Sequence, residues 1–139
     1  MKLPLCAFAL VCALSLTVNA QTHTYNVKSH LLYIRGDLKE DGQRNLTFKI
    51  DEGQSTIETI LFNGQHFVDK ILARESAKGE TNTVRYTAST LHPTDNTKVY
   101  VYYYIDRPNK QITLASLAGN KSAKGIKQNL RNYIVYQYY

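Results

Sequence analysis

The sequence predicts an all-β fold, an antiparallel meander of about eight strands forming a small barrel or a sandwich. Three observations carry that expectation. Apolar residues recur with a period of two, as in Leu46, Phe48 and Ile50 against Asn45, Thr47 and Lys49, the spacing of a half-buried antiparallel strand. Turn signals punctuate the chain, above all Asp41-Gly42 and Asn63-Gly64, dipeptides that accept the positive φ of tight hairpins. The first 20 residues, MKLPLCAFALVCALSLTVNA, read as a signal peptide with one lysine, an apolar run and a small-x-small ending. Residues 21–139 are then expected to form a single all-β domain, long enough at about 119 residues to bury one adequate core.

The strands follow in order between these marks. The first is expected near 24–35, ahead of Asp41-Gly42. The second, 44–51, carries the alternation quoted above and ends at Glu52-Gly53. Strands at 56–62 and 65–73 flank Asn63-Gly64 with almost no slack, although 65–73 is also long enough for two helical turns. Arg74 to Asn82, RESAKGETN, is the most polar connection. A strand at 83–90 leads to the turn residues His92 to Asn96, and one at 98–106 ends at Arg107-Pro108-Asn109. Strands at 111–117 and 132–139 complete the set. Between them, 122–131 also suits one short helix with Ser122 as its N-cap, against which Gly125 costs about 1 kcal/mol relative to alanine.

The same residues point to a secreted, extracellular protein. Cys6 and Cys12 both lie in the signal peptide, so no disulfide framework is available to residues 21–139. Asn45-Leu46-Thr47 and Asn120-Lys121-Ser122 are glycosylation sequons, and the alternation puts Asn45 on the solvent face. No apolar run reaches the ~20 residues of a transmembrane helix.

Charge is uneven along the chain. From Gln21 to Asp106 ten basic residues nearly balance eleven acidic ones. From Arg107 onward six basic residues stand without an acid, which suggests an anionic partner for that region. Lys121, Lys124 and Lys127 recur every three residues and Arg131 follows four later, so on a helix they form one cationic stripe able to hold an anionic polymer or surface. Four cations without interleaved aromatic residues are also common on plain solvated surfaces, and nucleic acid is not the expected partner.

Nothing in the sequence calls for catalysis, a cofactor or a metal. His23, His30, His66 and His92 lack the spacing of a helical zinc site, and His23 and His30, seven apart on one strand, are expected on opposite faces. No thiol remains, no GxSxG elbow is present, and the paired acids Glu40-Asp41 and Asp51-Glu52 sit beside turn glycines. The expectation is a protein that is not an enzyme.

Tyrosine is the conspicuous residue, with eleven in the chain and no tryptophan. In KVYVYYYIDR, Lys98 to Arg107, the alternation puts Tyr103 on the core face with Val99, Val101 and Ile105. Tyr100, Tyr102 and Tyr104 form a row on the other face, about 6.8 Å apart. In the last strand Tyr136 and Tyr138 share a face with Ile134. If the two strands are neighbours, these five phenols make a ligand or partner surface built of cross-strand aromatic pairs. The expected function is a non-enzymatic binding protein acting by contact through this tyrosine face and the basic C-terminal region. Its partner would be a small apolar ligand, a glycan or an extracellular protein. The alternative is a structural component of an extracellular coat or secretion, with tyrosines serving cohesion or crosslinking. In size, secretion signal and meander the chain resembles small calycin-type barrels, a likeness of architecture that implies no function.

Overall fold

The structure is a computed structural model, and it describes residues 21–76, 82–92, 94–117 and 132–139. Eight strands are found among the described residues: β1 Thr22–Ile34, β2 Asp37–Asp51, β3 Thr56–Leu61, β4 His66–Ser76, β5 Thr83–Leu91, β6 Lys98–Asp106, β7 Gln111–Leu117 and β8 Asn132–Tyr138. Each pairs antiparallel with the next, and β8 pairs back onto β1. The result is a closed up-and-down barrel rather than a sandwich, which leaves no strand edge running the length of the sheet. Of the segment 65–73, residues 66–73 fall on β4 and form strand, not helix. The expected helix at 122–131 lies outside the described residues.

Two turns show how the local chemistry is used. Leu61 N–H donates to the Gln65 carbonyl at 2.8 Å, Gly64 N–H to the Leu61 carbonyl at 3.0 Å, and Asn63 Oδ1 accepts from Gln65 N–H at 3.0 Å. Asn63-Gly64 thus closes the β3–β4 hairpin as expected, although only its glycine takes positive φ. The β1–β2 turn differs from expectation. It falls at Arg35-Gly36, with φ of 54° and 84°, the consecutive positive values of a type I′ turn. Asp41 and Gly42 lie inside β2, opposite Leu31 and His30. A Cβ at Gly42 would sit 3.4 Å from the His30 ring, an ordinary contact.

Register shifts decide which side chains point inward. Against β8, residue Lys28 is the extra residue between Val27 and Ser29. Such a bulge moves the following residues to the opposite face. Tyr25 and Val27 are therefore buried before it, and His30 after it. His23 and His30 consequently share the inward face, against the expectation from a regular strand. Tyr33 turns outward and stacks on Tyr133, with ring centroids 4.6 Å apart and planes 12° apart.

The middle of the barrel is packed around Phe48. Its ring meets Tyr103 edge-on at 5.9 Å and Tyr136 at 5.1 Å, the tilted geometry that aromatic quadrupoles favour. Ile50, Ile57, Ile105 and Ile112 surround this group and are 0–1% exposed.

Candidate functional site

The two ends of the barrel are built differently. At the end carrying the β2–β3 turn, Tyr86 O–H donates to Glu52 Oε1 at 2.6 Å and Arg74 Nε–H donates to the same oxygen at 2.8 Å. Burial pushes the Tyr86 phenol up to about 12, and its hydrogen bond to Glu52 adds to the shift. Burial also pushes Glu52 upward, but the bonds from Tyr86 and Arg74 and the guanidinium charge outweigh it and leave the carboxyl below its usual range. This polar knot lies below a sealed isoleucine layer.

The raised Tyr86 value makes a prediction. Its contribution to stability is complete below the unfolded phenol value near 10 and is lost as pH rises through about 12. Thermal melts from about pH 8 to pH 12 should therefore fall steeply above pH 10. Tyr86→Phe should start lower and decline less steeply; parallel curves for the two proteins would remove Tyr86 from this role.

At the opposite end, which carries the β1–β2, β3–β4 and β5–β6 turns, the described residues leave the apolar lining incompletely covered. Leu61, Leu114 and Ile134 pack against the core but stay only half-buried. Beyond them Ile34, Phe67 and Leu91 are exposed, Phe67 to 57%. Ile34 flanks the first of these turns, Phe67 follows the second and Leu91 precedes the third. Phe67 shares the inward parity of buried Asp69 two residues on, so its ring stands at the rim of the interior.

Two polar groups lie inside this apolar setting. Asp69, 7% exposed, accepts a hydrogen bond from Tyr103 O–H at 2.5 Å, and the Thr59 side chain also bonds Tyr103. Burial, then the charge and hydrogen bond of Asp69, hold the Tyr103 phenol well above its usual range. His30 is buried too. Its Nε2 lies 2.8 Å from Glu40 Oε1, while its Nδ1 has no hydrogen-bond partner among the described residues. An apolar opening with a few convergent polar groups is the common make-up of a small-ligand site.

The residues expected to form a tyrosine surface do not come together. Tyr100, Tyr102 and Tyr104 face away from the core as the alternation requires, yet Tyr102 is only 4% exposed and the other two are half-buried. Tyr136 and Tyr138 point into the barrel and belong to its core. Moreover, β7 lies between β6 and β8, so the two sets are neither adjacent nor on one face. Burial raises the phenol of Tyr136 and that of Tyr138. Asn45 is exposed on β2. The stripe of Lys121, Lys124, Lys127 and Arg131, and the sequon at Asn120, lie outside the described residues.

Sequence reasoning missed Asp69 and His30. The first had a signal: in HFVDKIL a carboxylate takes an inward position two residues before Ile71. His30 had none, because its inward orientation depends on the Lys28 bulge. Among the described residues no three His, Cys, Asp or Glu side chains cluster as a metal site, and no helix is long and apolar enough to cross a membrane. No protein family, curated protein or solved structure matches the chain.

Proposed function

We propose that the protein is a secreted, non-enzymatic binding protein that acts by contact, and that the open end of the barrel is its site. The ligand class is a small, mainly apolar molecule with one hydrogen-bonding group. The observation that carries this reading is the contrast between the ends. Toward the β2–β3 end Ile50, Ile57, Ile105 and Ile112 are 0–1% exposed, whereas Leu61, Leu114 and Ile134 are left half-buried below exposed Ile34 and Phe67. Each square ångström of apolar surface left wet forgoes about 25 cal/mol, so a molecule seated there gains what the fold alone does not. The buried Nδ1 of His30 and the Asp69–Tyr103 pair supply polar groups within the same interior.

A fluorescence titration with 1-anilinonaphthalene-8-sulfonate tests the proposal. The protein should bind the dye saturably, and Phe67→Asp should weaken binding at least tenfold, the factor that about 1.4 kcal/mol represents. Because Phe67 is exposed, the substitution should leave the melting temperature nearly unchanged. Absence of saturable binding, or an affinity unchanged from the parent protein in both Phe67→Asp and Ile34→Asp, would contradict the assignment.

A further inference from the structure

A groove of about 290 Å³ lies where β1, β2 and β3 meet beside the β3–β4 turn, reaching the buried Val27 and Leu46 and sharing Leu61 with the open end. Its floor and sides are apolar, from Val27, Leu46, Ile60 and Leu61, and two aromatic rings border it. Phe62 is 86% exposed and Tyr139 is 74% exposed. Neither ring is loosely placed. Phe62 sits in the β3–β4 turn held by Asn63 and Gln65. Tyr139 N–H donates to the Asn26 carbonyl at 3.2 Å, and Lys28 Nζ stands 5.7 Å from the Tyr139 ring centroid. Two large aromatic surfaces held open to water beside one groove are costly unless something covers them.

What covers them is indicated by the groove's own wall. Asn45 lines it, next to Leu46 and Thr47, and these three residues are the Asn-Leu-Thr sequon. Asn45 lies in the β2 bulge between Gln43 and Leu46, so it projects from an irregular, exposed piece of strand. Thr47 Oγ1 donates to Asn26 Oδ1 at 3.0 Å, which places the Asn26 amide on the same wall. We infer that Asn45 carries an N-linked glycan whose first N-acetylglucosamine lies in this groove against Phe62 and Tyr139. The sugar's axial C–H face and acetamide methyl suit aromatic rings, and its hydroxyls can meet the amides of Asn26 and Asn45. The groove is about the size of one such residue.

The attachment balances as a group transfer. The Asn45 side-chain nitrogen attacks the anomeric carbon of an oligosaccharide held on a polyprenyl pyrophosphate. The new C–N bond forms as the C–O bond to phosphate breaks, the pyrophosphate leaves with the electron pair, and the amide proton passes to a base of the transferase. The inference rests on the secretory part of the reading above.

The test separates that dependence from the groove itself. Residues 21–139 are secreted behind the leader of an unrelated secreted protein, with Asn120→Gln to remove the other sequon and the glycan trimmed enzymatically to one N-acetylglucosamine. Mass spectrometry should show one sugar, lost in Asn45→Gln and in Thr47→Val but kept in Thr47→Ser. The sugar should raise the melting temperature by about 2–4 °C. Phe62→Ala should abolish that gain while leaving the Asn45→Gln protein unchanged, and nuclear Overhauser contacts should join the acetamide methyl to the Phe62 and Tyr139 rings. An unmodified Asn45, or a sugar whose stabilising effect survives Phe62→Ala and Tyr139→Ala, overturns the inference. Failure of residues 1–20 to direct secretion when kept in place of the unrelated leader would count against the secretory reading and leave the groove result intact.

Discussion

Replacing Phe48 by alanine should destabilise the protein by about 3–5 kcal/mol, a large part of the 5–15 kcal/mol that holds an ordinary domain together. Phe48 is 1% exposed and is the common partner of the Tyr103 and Tyr136 rings. Removing it opens a cavity at the centre of the barrel, and a closed sheet cannot collapse inward without breaking strand pairing. The two tyrosines would also lose their edge-on contact, each such pair adding about 0.5–1.5 kcal/mol beyond area burial. Urea unfolding should show the loss as a lower midpoint with the slope unchanged. A cost below about 1 kcal/mol would mean that the interior is not packed around this ring.

Tyr103→Phe should have the second-largest effect, about 3 kcal/mol. The substitution keeps the ring against Phe48 and removes only the hydroxyl that Asp69 accepts from at 2.5 Å. What remains is a buried carboxylate without that donor, and the penalty comes from its desolvation more than from the lost bond. The double variant Asp69→Leu with Tyr103→Phe should recover much of the loss, because removing both partners leaves no polar group to satisfy. Equilibrium unfolding of the two single variants and the double variant gives the coupling directly. Additive losses would show that Asp69 does not depend on Tyr103.

The eight strands were legible because alternation and turn chemistry agree along most of the chain. Leu46, Phe48 and Ile50 read as an inner face and are one, and Asn63-Gly64 reads as a hairpin turn and closes one. The first turn was misread for a physical reason. Asp41-Gly42 is locally a better turn than Arg35-Gly36, but the pairing of Ser29 to Ile34 with β8 extends β1 past it and carries the reversal to Gly36. Barrel closure was not legible, since β1 meets β8 more than a hundred residues away.

The site was less legible than the fold. Alternation separates Tyr136 and Tyr138 from Tyr133 and Val135 without saying which set is inner, because each mixes aromatic with aliphatic residues. The bonding of Asp69 to Tyr103 spans 34 residues, a separation that no local pattern records. His30 turns inward only because Lys28 is an extra residue against β8, and bulges leave little trace in composition. The half-buried state of Leu61, Leu114 and Ile134 depends on how far each neighbouring strand extends, and that follows from the register of the closed sheet.

The most direct measurement is a methyl-resolved NMR titration of the protein with a medium-chain alkyl carboxylate. Binding at the open end should move the methyl signals of Leu61, Leu114 and Ile134 while those of Ile50, Ile57, Ile105 and Ile112 stay in place. Saturable shifts confined to the outer face around Tyr100 and Tyr104, or no saturable shifts at the three open-end residues, would contradict the assignment of that end as the binding site.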